Sequence, residues 1–195
     1  MKKEVYKYPK SSFLSVDKDM VSISNYIFKN ENLKKLIYYT SQDAMSRPEL
    51  TEDQSIEIFQ KNFTMIPKEK IDPEVLNYII LKFDNYMPTS NPQFRDNTVE
   101  IDILCHYDVW NLKDFQLRPY RIAAEIDSML NNAKLSGIGT LQFFGGSLIQ
   151  LNDEYGGVCL MYNATHGGDD KVKPVNPDDE QVLIDNFDKI FNSGE

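Results

Sequence analysis

The stretch from Thr98 to Val109 constrains the fold more than any other part of the sequence. Val99, Ile101, Ile103, Cys105, Tyr107 and Val109 alternate with Thr98, Glu100, Asp102, His106 and Asp108, and only Leu104 interrupts the polar set. A period of two predicts a strand with one buried and one wet face. Such a strand needs neighbours. Val75 to Phe83, rich in β-branched and aromatic residues, is the first. Ile138 to Phe144 and Ser147 to Leu151 follow, as one strand bent at Gly145-Gly146 or as a hairpin turning there. Val158 to His166 reads as the last strand, after a turn over Asn152 to Gly157. Asn85 to Asn97, with Pro88 and Pro92, reads as a long loop.

Helical periods surround these strands. Met20, Ile23 and Ile27 mark one helix, Leu33, Leu36 and Ile37 a second. Thr51-Glu52-Asp53-Gln54 is a capping-box sequence and predicts a helix to about Lys61. Arg118-Pro119 opens the main helix, with Pro where its missing N–H costs nothing. Its apolar stripe is Ile122, Ile126, Met129 and Leu130. Glu125, Ser128, Asn131 and Asn132 are expected to face away, and Gly137 to follow the helix end. The expected fold class is α/β (α+β): a mixed or mainly antiparallel sheet with one main helix packed on a face and extra N-terminal helices. Residues 1–13 read as a polar arm and 14–166 as a single domain with an insertion-like segment at 40–73. Residues 167–195 read as a Gly/Pro linker and a tethered amphipathic helix, with Leu183, Phe187, Ile190 and Phe191 on one side.

Composition excludes several classes. The chain has 195 residues, two cysteines and a formal charge of −9. It is long enough to bury a core without disulfides, and its cysteines have no zinc spacing. The acidic balance argues against a groove that grips phosphates. No apolar run approaches the ~20 residues that span a bilayer, and no apolar stretch follows the basic start, so a protein kept in a reducing cytoplasm is expected.

Chemical motifs are sparse. Asp102, His106 and Asp108 share the wet face of one strand, a set suited to metal or acid–base chemistry. One strand leaves a metal short of ligands, so an ordinary polar face is the preferred reading. Gly167-Gly168-Asp169-Asp170 opens a proline-bearing linker rather than a two-metal site. The glycines at 137, 139, 145 and 146 follow a helix and precede strands, the reverse of a phosphate loop. Cys105 reads as a small core residue. Trp110, Leu112, Phe115 and Leu117 form an apolar cluster that is either core capping or a partner surface.

The element order from EIDILCHYDVW (Glu100 to Trp110) through RPYRIAAEIDSMLNNAKLSGIG (Arg118 to Gly139) to LQFFGGSLIQLNDEYGGVCLMYNATH (Leu141 to His166) resembles the tail terminator or tail-completion proteins of long-tailed bacteriophages. More broadly, it resembles the head–tail neck components. The resemblance implies a non-enzymatic virion protein, assembled in the host cytoplasm, that forms a ring, commonly hexameric. The ring joins the tail tube to the head connector, and DNA passes through its lumen. No cofactor, metal or membrane is implied. Leu183, Phe187, Ile190 and Phe191 are the expected contacts to a neighbouring subunit or ring. Glu125, Asn131 and Asn132 are candidates for a polar face toward the lumen or a neighbour. Two other readings stand beside it: a small metal-dependent hydrolase using Asp102, His106 and Asp108, and a monomeric adaptor or inhibitor that binds through its terminal helix.

Overall fold

The computed structural model describes residues 16–65, 72, 74, 76–90, 94–135 and 137–167. The predicted arm, most of residues 66–75 and the terminal helix lie outside the described residues. Among those described, the long strand β3 (Phe94–His106) is central. It pairs antiparallel with β2 (Asn77–Pro88) on one side and with β7 (Tyr155–Gly167) on the other. The two-residue β1 (Phe63–Thr64) lies parallel to β2, and β6 (Gln142–Gln150) lies antiparallel to β7. The order is β1-β2-β3-β7-β6, a mixed sheet. A separate ribbon joins β4 (Lys134–Leu135) and β5 (Gly139–Thr140).

The expected alternation positions the core. Val99, Ile101, Ile103 and Cys105 are fully buried in one large cluster with Ile79, Leu81, Leu160 and Tyr162 of the flanking strands. Helices α1 (Val16–Ile27), α2 (Glu31–Tyr38), α3 (Glu52–Asn62) and α4 (Arg118–Leu130) supply its other wall through Ile23, Leu36, Ile58, Ile122 and Ile126. Leu104, out of pattern, packs on the opposite face with Tyr78, Ile80, Tyr155 and the half-buried Ile149. The capping box forms as predicted: Gln54 N–H donates to Thr51 Oγ1, and Thr51 N–H donates to Gln54 Oε1.

Three local expectations are corrected, and one open alternative is decided. The strand ends at His106, because its imidazole Nδ1 accepts the Asp108 N–H at 3.1 Å and caps a 3-10 turn over Tyr107–Val109. The loop expected at 85–97 is shorter, since β2 and β3 keep pairing through Met87 and Asp96 beyond a bulge after Asp84. Gly145-Gly146 lie inside β6 beside a bulge between Phe143 and Gly145, which is the bent-strand alternative. The hairpin turns at Asn152, within the expected 152–157 turn, and the Asn152 Oδ1 accepts N–H groups from Glu154 and Tyr155. Helix α4 ends at Leu130, with Asn132 in the left-handed region at φ 65°. Gly137 (φ 82°) belongs to the β4–β5 connection, so it is not the helix stop.

Two positions carry strong constraints. Arg118 opens α4 and is fully buried. Its guanidinium donates to the carbonyls of Val109 (2.7 Å), Leu36 (2.6 Å), Tyr39 (2.7 Å), Thr40 (3.0 Å) and Ser41 (2.9 Å). Leu36 lies in the last turn of α2 and Tyr39 is its C-cap, where the helix dipole favours a cation. At Gly157 a Cβ would stand 1.7 Å from the Ile103 carbonyl oxygen, so β7 tolerates no side chain there without moving off β3.

Removing Arg118 strands its carbonyl acceptors in the interior. Arg118→Met is expected to cost about 3–5 kcal/mol, as for other broken buried charge networks. At about 2–4 °C per kcal/mol, the thermal midpoint should fall by roughly 6–20 °C. Gly157→Ala should lower the midpoint too, whereas Gly145→Ala, whose Cβ would meet only the end of Met161 at 3.5 Å, should change it little. Calorimetry of the three variants checks both statements.

Candidate interaction surface

The polar face of β3 is occupied by its own partners. Lys82 Nζ lies 2.7 Å from Asp102 Oδ2 and 3.1 Å from Glu100 Oε2. Desolvation works against this ammonium, but its bonds to the two carboxylates outweigh it and raise the Lys82 pKa. His106 is engaged by the Asp108 backbone, and the Asp108 carboxylate, 3.5 Å from Nδ1, is otherwise in solvent. Asp102, His106 and Asp108 therefore do not converge on a common point. Among the described residues no group of three or more His, Cys, Asp or Glu is placed to hold a metal ion. His166 is paired with Arg95, at the opposite end of β3 from His106.

The proposed polar face of α4 divides. Glu125 is only 8% exposed, so it does not face away from the body. Its carboxylate accepts from Asn30 Nδ2 at 2.9 Å and from Arg121 at 2.7 Å. Asn30 is also the N-cap of α2, accepting the Leu33 N–H. Glu125 thus places a negative charge at the positive end of α2, which stabilises the contact between the two helices. Asn131 and Asn132 are exposed. The Asn131 Oδ1 accepts the Phe143 N–H at 3.3 Å, and the Asn132 N–H donates to the Leu141 carbonyl. Both fasten the end of α4 to the beginning of β6. Leu183, Phe187, Ile190 and Phe191 lie outside the described residues. The Trp110 cluster also splits: Leu112 is buried, Trp110 packs on the core, and Phe115 is fully exposed.

β6 forms a surface that the sequence periodicity does not reveal. Phe143, Phe144, Leu148 and Leu151 are all exposed, Leu148 by 72%. From Gln142 to Leu151 there is no charged residue. One edge of β6 pairs with β7, and the other has no strand partner among the described residues. The Leu151 N–H donates to Tyr155 O, so antiparallel alternation turns the amides of Leu148 and Gln150 toward the open edge. Proteins usually blunt such edges with charge or proline. The readable signal was the uncharged run from Leu135 to Asn152 in a chain with 26% charged residues.

The two cysteines are free and buried. Burial pushes the Cys105 thiol up to about 12. Burial, followed by the charge of Asp102, does the same for Cys159. No helix among the described residues is long and apolar enough to cross a membrane.

Fold and surface together define a mixed α+β protein whose polar clusters are bound internally and whose outer strand is apolar and open. The sequence pattern of the YomW family matches residues 30–164, and the chain belongs to this phage-derived family. Among solved structures, a chain from the virion of a native gene transfer agent particle is similar at 11% identity and a TM-score of 0.49. The match covers 76% of this chain and 94% of that one. No curated protein matches.

Both thiols should be inert to a disulfide reagent at pH 8 in the folded protein, and both should react in denaturant. Because folding raises these two pKa values, their share of stability is intact below about pH 9 and is lost as pH rises toward 12. Denaturant melts at pH 8 and pH 10.5 check the sign, with the lower midpoint expected at pH 10.5.

Proposed function

We propose that this chain is a non-enzymatic virion structural protein, a ring-forming tail terminator or neck component that joins the tail tube to the head connector. The observation that carries the proposal is membership of a phage-derived family over residues 30–164, nearly the whole described body. The strand–helix–hairpin order from Glu100 to His166 supports the terminator assignment within that class. The partners are further copies of the same chain, hexameric by the same resemblance, with the tail tube on one side and head-connector proteins on the other. Leu183, Phe187, Ile190 and Phe191 contact a neighbouring subunit or ring, and the exposed Asn131 and Asn132 form a polar face toward the lumen or a neighbour.

Charge fits the role. A conduit that DNA traverses should not hold it, and a subunit of −9 repeated around a ring repels phosphate. The uncharged β6 supplies the complementary property, a zone where like-charged copies approach without repulsion. Electron microscopy of the protein mixed with purified tail tubes should show a ring at one end of the tube. Absence of the chain from purified particles would sink the proposal.

A further inference from the structure

The helix-bearing face of the sheet is not covered as far as its edge. Phe143 and Leu148 of β6 stand in register with Tyr162 and Val158 of β7, both members of the main apolar cluster. Phe143 is nevertheless 42% exposed and Leu148 is more open still. Helix α4 borders this strip. The Tyr162 hydroxyl donates to Asp127 Oδ1 at 2.9 Å, and Asn131 holds the Phe143 N–H. The side of α4 that carries Asp127 and Asn131 therefore faces β7 and β6. Tyr120 and Ala124 fall on that side by the helical period, and both are exposed. Between the two rows, Gly146 adds no side chain beside Leu160. The result is a shallow apolar trough along β6.

The described chain ends beyond one end of this trough. Asn163 of β7 is in register with Gln142 at the start of β6, and Gly167 lies four residues, about 13 Å, further along the strand. Twenty-eight residues follow, 168–195. The ten residues 168–177 can span up to about 33 Å, comparable with the length of β6, about 30 Å. Asp178 to Phe191, for which the sequence predicts a helix, would measure about 21 Å. Leu183, Phe187, Ile190 and Phe191 form its apolar side, with Asp179 one turn ahead of Leu183, while Asp178, Asp185 and Asp188 would remain in solvent. β6 adds no charge to the trough, and Asp127 on the α4 wall is engaged by the Tyr162 hydroxyl, so the apolar side of the segment meets mainly apolar surface. A short tether holds the segment at an effective concentration on the order of millimolar, which favours the trough of its own molecule in dilute solution.

We propose that in the free protein the segment from Leu183 to Phe191 occupies the β6–α4 trough of its own chain. This does not rest on the virion assignment. Within a ring, passing the segment to the identical trough of a neighbour exchanges equivalent contacts, the economy of a domain swap.

Cysteine pairing in the full chain tests it. Leu148→Cys combined with Ile190→Cys places one thiol in the trough and one on the segment, and leaves Leu183, Phe187 and Phe191 in place. Ser147→Cys combined with Ile190→Cys is the comparison, because Ser147 is exposed on the other face, in register with Cys159. Isotopically labelled and unlabelled chains are mixed, oxidised gently when dilute, digested and weighed. The expected result is a 148–190 linkage within chains of one isotope, at least about fivefold more abundant than the 147–190 linkage. Equal yields at the two positions would reduce the segment to a freely roaming tail and overturn the proposal. A predominance of mixed-isotope linkage would also overturn it, by assigning the trough to a second copy.

Discussion

A buried guanidinium without a buried carboxylate partner holds the helical layer together. Arg118 is read from the sequence as the first residue of a helix, and it is that, but its side chain points into the body. It collects carbonyls from α2, from the loop after α2 and from the turn after β3. An ordinary lysine has three donors on one nitrogen and could not reach this spread; the planar fork of arginine can. Burial lowers its pKa, yet the acceptors and the negative end of α2 compensate for the missing counter-charge. The position of α4 over the sheet, and with it the trough beside β6, depends on this contact and on the Glu125–Asn30 bond near the middle of the helix.

Much of the sheet was legible in the sequence because one strand alternates so cleanly. Val99 to Cys105 gives the buried face directly, and the partners on either side have the same texture. The ends were not legible. His106 has two uses in an alternating pattern, as a face residue and as a cap, and only the fold decides that its imidazole caps a turn. The glycines at 145 and 146 suit a bend or a turn equally well by conformation alone. The competing turn signal, Asn152, prevailed because its side chain accepts two backbone N–H groups. At the end of α4, an asparagine adopted the left-handed conformation that a glycine would usually supply.

The candidate surface was less legible. Polar residues on an amphipathic helix read as solvent-facing, and Asn131 and Asn132 obey that rule. Glu125 does not, because Asn30 and Arg121 bring it two donors, one from another helix 95 residues earlier. Single-sequence periodicity contains no information about so distant a partner. The acids of β3 are bound by Lys82, a cation on a neighbouring strand that the alternation within β3 does not reveal. The apolar edge was visible only as a lack of charge, which draws less notice than a cluster of it.

The open strand has a colloidal consequence. A protein carrying ten uncharged, largely apolar residues along a free edge is prone to stick to its own kind. Its overall charge of −9 opposes this at long range. That repulsion reaches only about 10 Å at 0.1 M salt and shrinks as salt rises. Solubility and self-recognition are therefore balanced against each other across one surface, and ionic strength sets the point of balance. Conditions that quiet the charge favour contact between strands, whether the contact is ordered or not.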